Sequence, residues 1–202
     1  MTASPKRSRP KQERSQATYE RLLDVAGELL AEVGLDRIST NLICARAGVT
    51  PPALYRYFAD KYAVLEALGR RLMARQNEVL RRWIARHQPN GAPALRDHIE
   101  ELLVETAEVT RAEAGADWIL RALHASPRLV HVRVESHRQV TDQLVAAYAP
   151  HLPHLDRDEL WQRLRISVEL GFAADEMTQE EGRVDRSFAL AHVARLLRGD
   201  VS

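Results

Sequence analysis

The stretch GVTPPALYRYFADK, residues 48–61, decides how the N-terminal part of the chain folds. Its two adjacent prolines would interrupt the middle of a helix, but they follow Thr50, which is a good N-cap residue. Pro51 then falls at the first helical position, where the missing N–H of proline costs nothing. Pro52 lies in the same first turn, whose N–H groups have no acceptors within the helix. We therefore predict that the prolines begin a short helix.

A second short helix precedes this one. Ser39 is a good N-cap for a helix that ends at Ala47, and Gly48 closes it. Two short helices joined by such a turn form a helix-turn-helix, whose second helix enters the major groove of DNA. Leu54 and Phe58 lie four residues apart, so they are expected to pack inward together. The residues left on the other faces are Pro52, Ala53, Tyr55, Arg56 and Tyr57.

The lysine at the end of the quoted stretch occupies an unusual position. Asp60 is expected to cap the next helix, which places Lys61 in the first turn of that helix. The helix dipole disfavours a cation there by a few tenths of a kcal/mol to about 1 kcal/mol. A DNA phosphate would reverse that effect, because both the helix N-terminus and the ammonium group attract it. The alternative is a surface lysine that is paired with a nearby acid.

Helical periodicity continues through nearly the whole chain. From Thr18 to Val33 apolar residues recur every three or four positions, and Gly34 occupies the position of a left-handed helix end. No window alternates as a strand does, and no internal repeat is present. We predict an all-α protein of about nine helices. The longer ones are predicted at about 61–87, 93–113, 116–125, 127–149, 156–177 and 185–198.

The composition is that of an ordinary soluble globular protein, with 45% hydrophobic and 28% charged residues among 202. No apolar run approaches the roughly 18 residues of a transmembrane helix. We therefore expect no membrane partner and a cytoplasmic location. Cys44 is the single cysteine, which excludes an internal disulfide, and it is expected to be buried.

Charge is distributed unevenly along the chain. Residues 1–75 hold 13 Lys and Arg against 8 Asp and Glu, a balance of +5, whereas residues 76–202 carry −4. Pro5 and Pro10 are expected to keep the N-terminal arm extended, which favours contact with phosphates. A solubilising tail is the alternative. The basic residues of the arm are Lys6, Arg7, Arg9, Lys11 and Arg14.

Residues 38–68, ISTNLICARAGVTPPALYRYFADKYAVLEAL, resemble the helix-turn-helix of the TetR/AcrR family of bacterial repressors. The family pattern is a threonine-led short helix, an Ala-Gly-Val-Ser/Thr turn, Leu-Tyr-x-Tyr/His-Phe, and a lysine that opens the fourth helix. Residues 21–36, RLLDVAGELLAEVGLD, are similar to the first helix of the family. Cys44 departs from the small residue that is typical there. The pair Pro51-Pro52 replaces a polar-glycine pair, which should change the bases that are read.

The resemblance implies a role for each matching position. The start of the second helix and the N-terminal end of the recognition helix contact DNA in the family, while two tyrosines and a lysine bind phosphates. Because Pro52 and Ala53 cannot donate to a base, we expect few direct base hydrogen bonds and a share of shape readout. The DNA-binding residues assigned in this way are Ser39, Thr40, Asn41, Thr50, Pro51, Pro52, Ala53, Tyr55, Arg56, Tyr57 and Lys61.

The charge pattern predicts a basic flexible arm over residues 1–17, and the resemblance implies a DNA-binding domain over 18–68 and a helical effector-binding and dimerisation domain over 69–202. Each residue assigned to the third part could instead belong to the intramolecular core. The predicted ligand-binding residues are Trp83, Leu102, Thr106, Trp118, Ile119, Leu123, His137, Val140 and Phe172. The predicted dimer interface, on the last two helices, comprises Leu160, Leu164, Ser167, Val168, Gly171, Phe188, Ala191, Ala194 and Leu197.

No catalytic or metal-binding pattern is visible in the sequence. The chain has no glycine-rich phosphate loop, no GxSxG and no HExxH, and its histidines lack zinc-ligand spacing. We therefore expect no enzyme activity, no metal and no cofactor. The predicted function is a homodimeric repressor that binds a palindromic double-stranded DNA operator and is released by a small-molecule effector. A helical protein-interaction module that no longer binds DNA is the alternative, which the basic arm, Tyr55, Tyr57 and Lys61 disfavour.

Overall fold

The computed structural model describes residues 9–200, with side chains from residue 14 to residue 199. This part of the chain forms helices and no strand, which confirms the predicted all-α class. None of these helices is long and apolar enough to cross a membrane. The helices are α1 Arg9–Arg37, α2 Thr40–Ala47, α3 Pro51–Tyr55, α4 Lys61–His87, α5 Gly91–Asp97, α6 Ile99–Ala112, α7 Ala116–Ala125, α8 Val130–Tyr148, α9 Arg157–Glu180 and α10 Arg186–Asp200, with short 3-10 turns at Gln88–Asn90 and Ala149–His151.

The first helices pack around a core that includes both residues predicted to point inward from the quoted stretch. Leu54 is 0% exposed and Phe58 is 2% exposed. The ring of Tyr19 on α1 stacks on Phe58, with ring centroids 5.2 Å apart. Five residues form little more than one helical turn, which is not stable alone. Packing therefore holds α3 in place and decides which of its faces stays outside.

One long helix connects two hydrophobic cores. Near its start, α4 contributes Leu65 and Leu68 to the core shared with α1, α2, α3 and α7. Further along, Val79 and Trp83 belong to a second core built with α5, α6, α8 and α9. The 27 residues of α4 span about 40 Å at 1.5 Å per residue. The helix-turn-helix region and the C-terminal bundle are thus joined by a continuous helix.

The predicted start of the first helix at Thr18 is wrong. The helix begins at Arg9, so residues 9–17, which were expected to be an extended arm, are helical. Pro10 lies in the first turn, where a missing N–H sacrifices no intrahelical hydrogen bond. Lys6 and Arg7 of the arm lie outside the described residues, whereas Arg9, Lys11 and Arg14 belong to the helix.

The helix predicted over residues 93–113 is divided into α5 and α6. The division falls at His98, whose backbone has φ −99° and ψ 13°. The carbonyl of His98 accepts a hydrogen bond of 2.9 Å from the indole Nε1–H of buried Trp83. A buried indole N–H requires an acceptor, and an interrupted helix supplies one. The break therefore has a tertiary cause that the local sequence pattern does not reveal.

The C-terminal bundle meets α1 where two glycines touch. A Cβ on Gly115, which precedes α7, would lie 2.7 Å from the carbonyl oxygen of Gly27 on α1. Gly115 also has φ +73°, in the region that side chains disfavour. Beside this contact, Arg71 on α4 donates to the buried carboxylate of Glu113 at 2.6 Å. Close backbone packing and a buried ion pair thus fix the junction.

We expect Gly115→Ala to lower the free energy of unfolding by roughly 1–3 kcal/mol, because the new Cβ meets backbone and the left-handed conformation is strained. Urea denaturation followed by circular dichroism measures this loss. Gly182→Ala is the matched control, since nothing lies within 4 Å of a Cβ there. Equal stability of the two variants would contradict the role assigned to Gly115.

Candidate nucleic-acid interface and ligand cavity

The turn between α2 and α3 has the predicted capping geometry. The side chain of Ser39 accepts a hydrogen bond of 3.3 Å from the Leu42 N–H at the start of α2. Gly48 ends α2 in the left-handed conformation, with φ 63°. Thr50 occupies the N-cap position of α3, but its side chain makes no capping hydrogen bond. Pro51 and Pro52 fall in the first turn of α3, as predicted.

The outer face of α3 carries an exposed tyrosine that is oriented by α2. Tyr55 is 52% exposed, and its hydroxyl lies 3.2 Å from Oγ1 of Thr40. This contact brings the start of α2 and the end of α3 onto one surface. The side chains of Asn41 and Arg56 are exposed as well, whereas Ala53 is half-buried. The surface offers hydroxyl, amide and guanidinium donors, which are the groups that contact phosphates and base edges.

Tyr57 has a different environment from Tyr55. It is half-buried, and its ring contacts Tyr19 edge to face, with centroids 6.1 Å apart. Its hydroxyl lies 3.0 Å from Oγ of Ser15 near the start of α1. Tyr57 therefore caps the local core and aligns the first turns of α1 with α3.

The start of α4 is capped as predicted. Asp60 accepts a hydrogen bond of 2.9 Å from the Ala63 N–H and another of 2.7 Å from Arg128, which precedes α8. The hydrogen bond from Arg128 is the main reason why the pKa of Asp60 lies below its ordinary value. Lys61 is half-buried in the first turn, and its ammonium lies 5.8 Å from the centroid of the Tyr62 ring. None of the described acids forms an ion pair with Lys61, so the alternative of a paired surface lysine is not supported.

Cys44 on α2 is buried, as predicted, with 5% of its surface exposed. Burial raises the pKa of its thiol. A protonated thiol in the core is a poor nucleophile, which agrees with a packing role.

A cavity lies in the C-terminal bundle between α4, α5, α6, α8, α9 and α10. About 860 Å³ of empty space lies within it, and this volume includes the part that is open to solvent. Most of its wall is aliphatic, and the polar residues of the wall are Gln76, Arg96, Thr106, Tyr148, Ser167 and Asp175. Four of the residues predicted to bind ligand line it: Leu102, Thr106, Val140 and Phe172.

The other five predicted ligand residues do not line this cavity. Trp83 is fully buried in the second core. Trp118, Ile119 and Leu123 pack in the first core instead, because α7 faces α1 and α4. His137 lies behind the wall, where its ring stacks on Phe172 with centroids 4.3 Å apart.

His137 belongs to a charged network between α8 and α9. Its Nδ1 lies 3.0 Å from a carboxylate oxygen of Glu169, which also pairs with Arg133 and Arg165. Burial lowers the pKa of His137, and the hydrogen bond with Glu169 only partly offsets that effect. Burial would raise the pKa of Glu169, but hydrogen bonds from His137 and Arg165 outweigh it and lower the pKa to about 2. At neutral pH the network is a neutral imidazole that donates to a carboxylate.

We expect this network to make the protein less stable in acid. Both groups have pKa values below the unfolded values of about 6.5 for His and 4.3 for Glu, so the unfolded chain binds more protons. The stability from His137 is lost as pH falls below about 6.5, and that from Glu169 as pH falls from about 4.3 toward 2. The difference in unfolding free energy between pH 7 and pH 4 should therefore shrink in the variant His137→Gln/Glu169→Gln. Urea denaturation at both pH values measures it.

A matched pair of substitutions at exposed positions provides the control for this pH dependence. His154 and Glu181 are both exposed, so His154→Gln/Glu181→Gln should keep the wild-type pH dependence. The same pH dependence in both double variants would contradict the role of the network.

The residues predicted to form the dimer interface lie mostly inside the single chain. Most of its residues are buried within a single chain, and Leu164, Ser167, Val168, Gly171 and Leu197 line the cavity. Leu160 and Ala194 are core residues, and Ala191 is half-buried. Of the nine, only Phe188 is exposed, at 62%. The large apolar residues that α9 and α10 expose are Ile166, Leu170, Met177, Phe188 and Leu196.

The structure also brings together three residues that could ligate a metal. The potential ligand atoms of His87, His98 and Glu101 lie within 4.8 Å of one another. The sequence pattern does not reveal this cluster, because His98 lies at the break between α5 and α6. Arg86 pairs with Glu101, and the two imidazole rings stack with centroids 4.1 Å apart. A guanidinium at this carboxylate opposes a second cation, so the cluster supports a structural contact between α4 and α6.

Comparison with known proteins agrees with this architecture. Residues 22–68 match the sequence profile described as "Bacterial regulatory proteins, tetR family". An uncharacterized HTH-type transcriptional regulator of Mycobacterium tuberculosis is 33% identical over 105 residues, covering 52% of this chain and 53% of that protein. The match thus spans about half the length of that relative. The HTH-type transcriptional regulator BetI of Yersinia pestis is 26% identical over 164 residues, covering 74% of this chain and 82% of that protein.

A solved structure described as a SmeT–triclosan complex has a TM-score of 0.66 to this chain. It is 22% identical, and the alignment covers 90% of this chain and 91% of that one. At this identity the likeness shows a shared fold. The sequence profile and both relatives describe transcriptional regulators, in agreement with the expectation that the chain is not an enzyme.

Proposed function

We propose that the chain is a TetR-type transcriptional regulator, a homodimeric repressor that a small molecule releases from its operator; the profile match over residues 22–68 and the likeness to BetI support this. The observation that carries the proposal is the surface formed by α2, α3 and the start of α4. There the hydroxyls of Thr40 and Tyr55 lie beside the exposed Arg56, and Lys61 has no acidic partner among the described residues. Such a surface is expected to bind phosphates and to read the major groove.

The bases are read by a surface with few hydrogen-bond donors. Pro51 and Pro52 are exposed at the N-terminal end of α3, where recognition helices approach base edges. They can contact a thymine methyl group but cannot donate to a base. Arg56 is the exposed cation that can discriminate guanine, by about 1–3 kcal/mol in a bidentate contact. Much of the remaining specificity is therefore assigned to DNA shape and to phosphate contacts.

The exposed apolar residues of α9 and α10 support the dimer. Ile166, Leu170 and Met177 recur at helical spacing on α9, and Phe188 and Leu196 extend the surface on α10. Large exposed apolar surfaces on soluble proteins mark interaction sites. A two-fold pairing of this surface would present two recognition helices to a palindromic operator.

Continuity of α4 supports a coupling between the cavity and the DNA-binding surface. Lys61 begins the helix, and Gln76 and Leu80 on the same helix line the cavity. Arg128, just before α8, bonds Asp60 at the start of α4 and lies 4.3 Å from the centroid of the Tyr62 ring. A ligand that displaces α4 or α8 would thus act on the helix that carries Lys61. If the ligand weakens DNA binding by a given factor, DNA must weaken ligand binding by that same factor.

The test is fluorescence anisotropy of the purified protein on DNA from around its own gene, over a salt series. Nanomolar binding that weakens steeply with salt is expected, because phosphate contacts release counterions. If no binding is found, selection from random DNA sequences decides whether the operator lies elsewhere. An empty selection would favour the alternative, a helical interaction module without DNA binding.

A further inference from the structure

The cavity contains a cation without a carboxylate partner. Arg96 on α5 lines the wall, and none of the described acids forms an ion pair with it. The one carboxylate in the wall, Asp175, is already engaged, because Arg186 donates to it at 2.6 Å. A mostly apolar cavity with a net positive group attracts an anion that also has an apolar body.

A hydroxyl donor lies near this arginine. Tyr148 lines the cavity at the end of α8, close enough for the charge of Arg96 to act on its phenol. Burial raises the pKa of Tyr148, so its hydroxyl stays protonated and can donate. A guanidinium and a phenol together can hold a carboxylate through charge-assisted hydrogen bonds.

A buried acceptor lies near the start of the α8 wall, away from Tyr148, because Asn77, the neighbour of Gln76 on α4, donates to Gln139. Gln76 is 4% exposed, and its amide nitrogen donates to Thr110 at 2.7 Å. Its amide oxygen accepts no hydrogen bond from the described residues, which is unfavourable for a buried polar atom. A ligand hydroxyl or N–H would satisfy this oxygen.

The two polar ends are separated by a long aliphatic wall. Along α8 the wall runs from Val140 to Tyr148, which is about 12 Å at 1.5 Å per residue. Leu102, Leu144 and Leu164 belong to the same wall. The cavity is therefore suited to an extended chain and not to a compact polar molecule.

From this arrangement we infer that the cavity binds an amphipathic monocarboxylate, with its carboxylate at Arg96 and its aliphatic chain along α6, α8 and α9. A hydroxyl near the far end of the chain would meet the amide oxygen of Gln76. The inference rests on the proposed function, because it names the chemical class of the ligand that would release the operator.

The test measures binding of laurate, 1-dodecanol and dodecyltrimethylammonium to the full chain by isothermal titration below their micelle concentrations. Laurate is expected to bind best, and Arg96→Gln should weaken it roughly ten- to a hundredfold, the range for a lost charge-assisted hydrogen bond. Arg96→Lys should retain part of the affinity. Arg138→Gln is the matched control, since Arg138 is exposed on α8 and does not line the cavity.

Several outcomes would overturn the inference. They are equal binding of laurate and 1-dodecanol, preference for the ammonium compound, no binding of any probe, or laurate affinity unchanged in Arg96→Gln. A thermal unfolding midpoint of Arg96→Gln close to that of wild type shows that lost binding is not lost folding. If Arg96→Gln unfolds, the comparison of laurate with 1-dodecanol on the wild type decides.

Operator binding is followed in parallel, so that the two proposals can fail separately. If laurate binds through Arg96 but leaves the protein on DNA, the ligand class stands and ligand-induced release fails. If another compound releases the DNA while laurate does not bind, the regulatory proposal stands and the ligand class is wrong.

Discussion

Replacing Tyr55 and Lys61 together by alanine is expected to weaken operator binding by roughly a thousandfold, since a dimer loses four phosphate contacts of about 1 kcal/mol each. Tyr55 is exposed and oriented by Thr40, and Lys61 lies at the N-terminus of α4. Neither side chain fills the core, so the fold should persist. The dependence of operator affinity on salt concentration tests the phosphate contacts more directly than the affinity at one salt concentration. Removing two ammonium groups per dimer should reduce the slope of log K against log salt by about 2.

Arg82→Ala is the control for this double variant. Arg82 is exposed on α4 and lies 21 residues after Lys61, about 30 Å along the helix axis. Its removal takes away one positive charge of the same chain without touching the proposed interface. An unchanged slope in Tyr55→Ala/Lys61→Ala, or an equal loss in Arg82→Ala, would count against the proposed phosphate contacts.

Replacing Leu170 by glutamate is expected to convert the proposed dimer into a monomer. Leu170 is 48% exposed in the single chain and lies at the middle of the apolar surface on α9. Two-fold symmetry brings two new carboxylates into one interface, where desolvation costs several kcal/mol. The dimer should weaken roughly a thousandfold or more. Light scattering coupled to size exclusion measures the mass, and anisotropy should show that operator binding is lost with it.

Val104→Glu is the matched control for the dimer prediction. Val104 is 36% exposed on α6, is not among the residues of the proposed dimer surface, and receives the same new charge. It should remain dimeric and bind DNA as wild type does. If Leu170→Glu stays dimeric at the same concentration, the subunits pair through a different surface.

Capping residues and apolar spacing in the sequence predicted the positions of most of the helices. The α4 prediction of 61–87 is confirmed at both ends, and α7 at 116–125 likewise, because Asp60 caps α4 and glycine precedes α7. The break at His98 was missed, since it depends on a hydrogen bond from Trp83, fifteen residues earlier in the chain. The start of α1 was missed because proline in a first turn is compatible with either an extended or a helical arm.

The sequence correctly predicted which side of α3 is buried, but it did not predict which side of α9 is buried. On α3 and just after it, only Leu54 and Phe58 are placed to fill the core, so the apolar pattern allows a single inward face. On α9 two stripes are apolar, one with Leu160 and Leu164, the other with Ile166 and Leu170. The first stripe is buried in the single chain, and Leu164 lines the cavity, whereas the second stripe is exposed and belongs to the proposed dimer surface.

The amino-acid sequence by itself determined the all-α class, the helix-turn-helix and the inner and outer faces of α3. These follow from caps, prolines and apolar spacing that act within a few residues. Only the tertiary structure decided which side of α9 is buried, which residues surround the cavity, and that Arg96 faces it without an acidic partner among the described residues. The reason is that burial and charge pairing depend on chain segments that are far apart in sequence, as the contact of Gly27 with Gly115 illustrates.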